Sequence, residues 1–247
     1  MDNLKIIAAI PARYQSTRLP GKLMADLGGA PVIRRTMQNI QSMKLFDDVV
    51  VVTDSEDIKS VVSDLGPVLR SQLEHTCGTD RIAEFASGFD ADIIFNVQGD
   101  EPFLGKTDIE RMIECFRKDQ DHTIDVMSLR HEISERMDRN NPNYVKVVSD
   151  LKNNALYFSR SNIPFRRNDS EFATYRHIGI YAFRKNALER FAAQPTTPLE
   201  NLEMVEALRI LEMGMTLRLL DAHQVTIGID TKEDLIWANS FLEKNNR

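Results

Sequence analysis

The sequence predicts an α/β protein with a mostly parallel sheet and an inserted region of mixed strands. Three observations carry this prediction. Through residue 120, short apolar runs rich in β-branched residues alternate with segments of helical period, the pattern of βαβ units. Those runs are apolar throughout, as in strands covered on both faces. From about residue 124 to 183, strand-like stretches follow one another with few helices between them.

The elements follow in order. Lys5 to Ile10 (KIIAAI) reads as a buried strand, stopped by Pro11. Pro31 to Met43 reads as a helix, with Val32, Ile33, Met37, Ile40 and Met43 near helical spacing. Asp48 to Thr53 (DVVVVT) is a second buried strand. Ile58, Val61, Val62 and Leu65 lie at i, i+3, i+4 and i+7, which makes 55–65 an amphipathic helix. A short strand near Val68-Leu69, a helix over 79–88 and a strand from Asp92 to Val97 come next. In the helix from Thr107 to Lys118, Thr107 and Glu110 form a capping box, and Ile109, Met112, Ile113 and Phe116 make the apolar stripe. The mixed region supplies strands at about 124–131, 143–149, 155–159 and 174–183. Helices return at 185–193 and 198–213, the second opened by Thr197, Pro198 and Glu200 and closed by Gly214. Strands near 216–220 and 225–229 precede a last helix from Thr231, whose pairing with Asp234 looks like a capping box. The whole reads as one domain with an insertion, not two.

Lys and Arg total 31 against 37 Asp and Glu, a net charge of −6, which argues against nucleic acid or a membrane surface as partner. The two cysteines, Cys77 and Cys115, are too few and too far apart for a zinc ribbon or a disulfide framework. There is no leader pattern and no apolar run of membrane-spanning length, so the expected location is the cytoplasm.

Open α/β sheets hold ligands beyond the carboxyl ends of their strands, here the loops after Ile10, Val97 and Ile229. The first loop, PARYQSTRLPGK, places Arg13, Arg18 and Lys22 within ten positions. It reads equally as a phosphate cradle and as a solvated basic loop. It is neither a Walker A loop, since Ser16 and Leu23 break that pattern, nor a G-x-G-x-x-G turn. Asp100, in NVQGDEP, follows a buried strand. Such an acid suits Mg²⁺, although alone it is more often a turn aspartate. Gly99 is expected to turn the backbone there and Pro102 to stop the ladder. Residues 157–185 hold six cations against Asp169 and Glu171, and arginine suits bidentate carboxylate recognition. Taken alone, His177 and Tyr181 read as ordinary packing residues and His75 as a solvated loop histidine.

Ten stretches lie in one order over residues 5–243: IPARYQSTRLPGK (10–22), VVTD (51–54), CGTDR (77–81), NVQGDEP (96–102), VKVVSD (145–150), ALYFSR (155–160), IPF (163–165), RHIGIY (176–181), PLENLEMVEALR (198–209) and GIDTKEDL (228–235). Together they resemble the CMP-Kdo synthetase family, the 3-deoxy-manno-octulosonate cytidylyltransferases. The resemblance implies a Rossmann-like nucleotidyltransferase core. It implies a single domain over 1–247, with a nucleotide-binding half at 1–120 and a sugar-binding and dimerisation half at 121–247. It also implies a reaction: the anomeric hydroxyl of Kdo attacks the α-phosphate of CTP and pyrophosphate leaves, in lipopolysaccharide biosynthesis, with Mg²⁺ as cofactor.

By resemblance, Arg13, Lys22 and Asp100 are catalytic. Ala12, Arg13, Arg18, Lys22, Gly78, Thr79 and Arg81 bind the nucleotide. Gln98, Arg160, His177, Tyr181 and Glu206 bind the sugar, and Asp100 and Asp230 hold the metal. Both basic clusters are expected to face one pocket, with Asp100 and Asp230 meeting at the metal. The family implies a homodimer with contacts around 125–160, Phe165 and Phe172. Cys77 stands where serine is usual, Ala207 where glutamine is usual, and the stretch from 163 to 176 is short. The last two leave 8-amino-Kdo, or another acidic 2-keto sugar, as the alternative acceptor. A non-catalytic nucleotide-binding module is the alternative of another class, disfavoured because both carboxylates and all three loop cations are present.

Overall fold

The computed structural model describes residues 4–16, 18–133, 139–168, 173–223 and 228–245. The chain forms two compact units, Met1–Lys106 with Thr226–Arg247, and Thr107–Val225.

The first unit runs β1 (Ile6–Ala12), α1 (Val32–Met43), β2 (Asp48–Thr53), α2 (Glu56–Val62), β3 (Val68–Arg70), α3 (Gly78–Ala83) and β4 (Ile93–Asn96). Its strands lie in the order β3-β2-β1-β4 and every pairing is parallel, as the apolar runs predict. All seven residues of β1 are buried, and α1 buries Val32, Ile33, Met37, Ile40 and Met43. Pro11 does not stop β1. Pairing with β4 ends at Ala9↔Asn96, while pairing with β2 continues to Ala12↔Thr53. Ala9 turns its carbonyl towards the Val97 N–H, and Pro11, two residues on, faces the same side past the end of β4. Its missing N–H therefore falls on an edge, where proline is tolerated. α2, capped by the Ser55 hydroxyl on the Ile58 N–H at 3.3 Å, ends at Val62 rather than 65, just before Gly66-Pro67. The helix expected over 79–88 is α3 followed by a separate 3-10 turn at Ala86–Gly88.

The second unit begins with α4 (Lys106–Lys118), whose buried stripe is the predicted one. The helix starts one residue early, so Thr107 lies inside its first turn and is not the cap. A tertiary contact anchors that turn instead: the buried Asp108 carboxylate accepts the His223 N–H at 3.0 Å and the Arg111 guanidinium at 3.3 Å. Then come β5 (Val126–Glu132), β6 (Lys146–Ser149), β7 (Ala155–Ser159), β8 (Tyr175–Arg184), α5 (Lys185–Ala193), α6 (Pro198–Glu203), α7 (Ala207–Glu212) and β9 (Leu217–Asp221). β5 is antiparallel to β8 and parallel to β9, and β6 is antiparallel to both β7 and β8. This is the mixed-strand texture that the sequence predicts. The β5–β8 register jumps between Ser128↔Tyr181 and Leu129↔Ile178, so Gly179 and Ile180 form a bulge.

The single helix expected over 198–213 is two, α6 and α7, broken where Met204 takes the left-handed conformation at φ 53°. Side chains hold the break open. Arg160 donates from Nε to the Glu203 carbonyl at 2.7 Å and from Nη2 to the Met204 carbonyl at 3.2 Å. The Glu203 carboxylate accepts the Arg160 N–H at 2.9 Å. Glu206 is consequently the N-cap residue of α7 rather than a residue on the face of a longer helix.

The chain returns to the first unit with α8 (Lys232–Asn245). The Thr231–Asp234 capping box is made in both directions, at 2.8 and 3.1 Å. Of the strand expected over 225–229, residues 225–227 lie outside the described residues and 228–229 are not in a strand. Asp169, Glu171 and Phe172 also lie outside the described residues. No helix among the described residues is long and apolar enough to cross a membrane.

Candidate active site

The loops after β1 and β4 open onto one pocket in the first unit, whose lining includes Ala12, Arg13, Lys22, Gly78, Gln98 and Asp100. The third expected loop is tied to it by the Ile229 N–H, which donates to the Asp100 carbonyl at 2.9 Å. Lys22 begins a 3-10 turn directly after Gly21, which holds a left-handed φ of 66°. That turn delivers the ammonium to two carboxylates from distant parts of the chain. Lys22 Nζ bonds Asp100 Oδ2, and it bonds Asp230 Oδ1 at 2.9 Å. Arg18 reaches the other oxygen of Asp230 at 3.1 Å. Burial works to lower the Lys22 pKa, but Asp100 and Asp230 outweigh it and hold it above the usual lysine value, so the group stays charged. Arg13 differs: it is exposed and has no hydrogen-bond or ion-pair partner among the described residues.

Gly99 serves packing rather than turning. A Cβ there would stand 3.0 Å from Ile33 Cδ1 and 3.3 Å from the Leu23 methyls, and its φ is not in the left-handed range. Its carbonyl accepts the Thr36 hydroxyl at 2.8 Å. Pro102 plays no part in ending β4, which stops at Asn96. The Asn96 side chain donates to Thr79 Oγ1 at 2.8 Å and accepts from Gln98 Nε2 at 3.1 Å, so one chain of hydrogen bonds joins β4, α3 and the pocket.

Cys77 caps α3, its sulfur accepting the Asp80 N–H at 3.4 Å. Arg81 is 5% exposed; its Nη2 donates to Asp54 at 3.1 Å, and its Nη1 has no hydrogen-bond partner. An undersatisfied buried guanidinium beside a pocket is a feature that a ligand acceptor would relieve. His75 is not the solvated histidine expected. Its side chain is 9% exposed and bonds Glu84 at 2.8 Å. Burial raises the Glu84 pKa, but bonds from Ser71, His75 and the Gln72 N–H outweigh this and hold it below the usual range.

The remaining expected residues lie in the second unit, on linked elements. The His177 ring stands 4.9 Å from the Phe158 ring and 5.3 Å from the buried Tyr181 ring. Its Nε2 is 2.8 Å from Ser128 Oγ, and burial pushes its pKa down to about 3. Arg160, two residues beyond Phe158, directs three of its N–H groups to the carbonyls of Pro142, Glu203 and Met204. Glu206 follows directly in the α6–α7 turn. The basic run 157–185 does not form one patch. Arg184 is buried, 2.8 Å from Asp119 and stacked over Phe116, away from Arg160 and His177 in its bonding.

Residues 7–217 match the family described as cytidylyltransferase. A 3-deoxy-manno-octulosonate cytidylyltransferase of Flavobacterium johnsoniae is 51% identical over 241 residues, 97% of this chain and 99% of that one. The chain belongs to the 3-deoxy-manno-octulosonate cytidylyltransferase family. The protein of the same description from Christiangramia forsetii is 46% identical over 96% of this chain and 97% of its own. Among solved structures, a CMP:2-keto-3-deoxy-manno-octonic acid synthetase complexed with CTP matches with a TM-score of 0.90 and 34% identity, covering 98% of this chain and 99% of the other. A 4-diphosphocytidyl-2C-methyl-D-erythritol synthase from Anaerococcus prevotii, at 18% identity and a TM-score of 0.65, shares the fold.

For this member of the 3-deoxy-manno-octulosonate cytidylyltransferase family, the structure adds three acids absent from the sequence-derived site. They are Asp54 on Arg81, Glu84 on His75, and Glu203 on Arg160. Asp54 and Glu203 carried a visible signal, as the last residue of VVTD just past the carboxyl end of β2 and as a member of PLENLEMVEALR; Glu84 carried none.

Proposed function

We propose that the chain transfers CMP from CTP to Kdo with release of pyrophosphate, as a step of lipopolysaccharide biosynthesis. The observation that carries this reading is the convergence of Asp100 and Asp230 on Lys22, which with Asp100 lines a pocket that the open Arg13 also lines. Arg13 and Lys22 are assigned to the triphosphate. As the anomeric oxygen bonds the α-phosphorus and the bond to the leaving pyrophosphate breaks, negative charge grows on pyrophosphate, and fixed cations there favour the transition state. Asp100 and Asp230 suit Mg²⁺: both already share one cation, the Lys22 ammonium, and carboxylate oxygens are the donors that Mg²⁺ prefers. Bound there, Mg²⁺ would supply charge neutralisation to the phosphates.

Ala12, Arg18, Gly78, Thr79 and Arg81 are assigned to the nucleotide, and Arg18 also pairs with Asp230. Gln98, Arg160, His177, Tyr181 and Glu206 are assigned to the sugar acid. A homodimer in the cytoplasm, with no nucleic acid or membrane partner, completes the reading. It assigns the nucleotide to 1–120, and the sugar and the dimer contacts to 121–247. The second acceptor reading, 8-amino-Kdo or another acidic 2-keto sugar, rests on Ala207, which is fully buried at the start of α7, and on the short stretch from 163 to 176.

Pyrophosphate release with CTP and Mg²⁺ fixed and the acid varied tests the proposal. Kdo is expected to give the highest kcat/KM, and Asp100→Asn to lower it about 10³-fold. A higher value with 8-amino-Kdo moves the acceptor assignment. CTP binding without turnover on any acid makes the protein a binding module.

A further inference from the structure

The bulge between β5 and β8 is plugged by one side chain. Ser128 is fully buried on β5, and its Oγ lies 2.7 Å from the Ile180 carbonyl, 3.1 Å from the Ile178 carbonyl and 2.8 Å from His177 Nε2. A hydroxyl has one hydrogen to donate and lone pairs to accept. Both carbonyls are acceptors only, so the Ser128 hydrogen points to them and its lone pair faces the ring. Nε2 must then carry the imidazole hydrogen. Nδ1 makes no hydrogen bond among the described residues, where the ring is bonded through Nε2 alone. The Phe158 and Tyr181 rings pack against the same imidazole. Burial keeps the ring neutral, with a pKa of about 3, so Nδ1 does not take up a proton at working pH.

We propose that Ser128 is a positioning residue for the sugar site, fixing His177 as the Nε2–H tautomer so that Nδ1 is held ready to accept a hydrogen bond from a sugar hydroxyl. The inference rests on the reading that His177 faces the sugar. It explains why the bulge falls between Ser128 and Leu129: the extra residues Gly179 and Ile180 bring the Ile178 and Ile180 carbonyls onto one hydroxyl. A hydroxyl at 128 thus ties backbone geometry to the orientation of a ring one strand away, as outer partners do for metal-binding histidines.

The test combines tautomer-resolved ¹⁵N spectra of His177 with kinetics. In the wild type, Nδ1 is expected at the position of an unprotonated ring nitrogen and Nε2 at that of a protonated one. Ser128→Ala is expected to let the Nδ1–H form appear and to raise KM for Kdo about tenfold, the factor carried by one hydrogen bond, with KM for CTP unchanged. Ser128→Thr, which keeps the hydroxyl, is expected to restore both. A wild-type Nδ1–H ring, or a Ser128→Ala spectrum identical to wild type, overturns the proposal and leaves the sugar reading standing. A changed tautomer with unchanged Kdo kinetics overturns the sugar reading of His177 and the role of Ser128 with it. If Ser128→Ala does not fold, the wild-type spectrum alone decides: an Nε2–H ring supports the proposal and an Nδ1–H ring overturns it.

Discussion

Arg13, in the first unit, stands exposed beside a pocket with no partner among the described residues, and the same pocket is lined by a lysine held between two carboxylates. In the second unit, Arg130, Arg184 and Arg209 are each at most 7% exposed and are bonded to acids. Arg209 lies against Glu200 at 2.6 Å with its guanidinium over the Phe191 ring, and Arg130 joins Asp221, Ser149 and Asn153 while stacking on Tyr175. The same residue type thus does two kinds of work. A buried arginine with its donors engaged is part of the frame, because desolvating it is tolerable only when its hydrogen bonds are made. An exposed arginine beside a pocket keeps its donors for a ligand. A run of positive charge in a sequence does not distinguish these cases; the partners do.

Three substitutions sharpen this contrast. Arg209→Ala should give the largest effect, a loss of about 3–5 kcal/mol, because it leaves Glu200 charged, buried and unpaired. Denaturant unfolding measures it, and kcat of the protein that remains folded should be near wild type. Arg13→Ala should do the reverse. Its unfolding midpoint should not move, while kcat falls about 10²–10³-fold, the usual cost of one lost electrostatic stabiliser. A stability loss with unchanged kcat would place Arg13 among the structural arginines and break the comparison.

Asp119→Asn should give the smallest effect. Burial raises the Asp119 pKa, but bonds from Thr123 and Arg184 and from the Ile124 and Thr123 N–H groups overcome it and hold the group at about 2 against 3.8. A depressed carboxylate stabilises the fold above its unfolded pKa and ceases to do so as pH falls through its folded pKa. The variant should therefore be about 1–2 kcal/mol less stable at neutral pH once solvent screening is allowed for. That difference should close between pH 3.8 and about 2 in a series of thermal melts.

Period and composition made most of the elements legible, because the runs in β1, β2 and β4 and the stripes of α1 and α4 are one-dimensional records of burial. What they did not carry was decided by contacts from far along the chain. Pro11 continues a strand because β4 ends early, and Thr107 loses its capping role because Asp108 meets His223. The helix expected over 198–213 breaks because Arg160 takes the carbonyls at its middle. In the site, the motifs brought out Asp100 and Asp230 together with Lys22, which bonds both acids. His75 was misread because its partner, Glu84, is nine residues further on, at the far end of α3.

Lys22 and Asp230 are separated by 208 positions, yet they share a hydrogen bond. During synthesis, the segment that carries Asp230 leaves the ribosome 208 residues after Lys22. A nascent chain can form β1 to β4 and present its cations early, since contacts near in sequence form without waiting for the rest. Until residue 230 arrives, Lys22 has only Asp100 to hold. A chain ended before residue 230 would keep its first loop and β4 with an incomplete carboxylate pair. Assembly of this cluster therefore waits for a segment made long after the first loop, and Asp230 acts as the last component fitted.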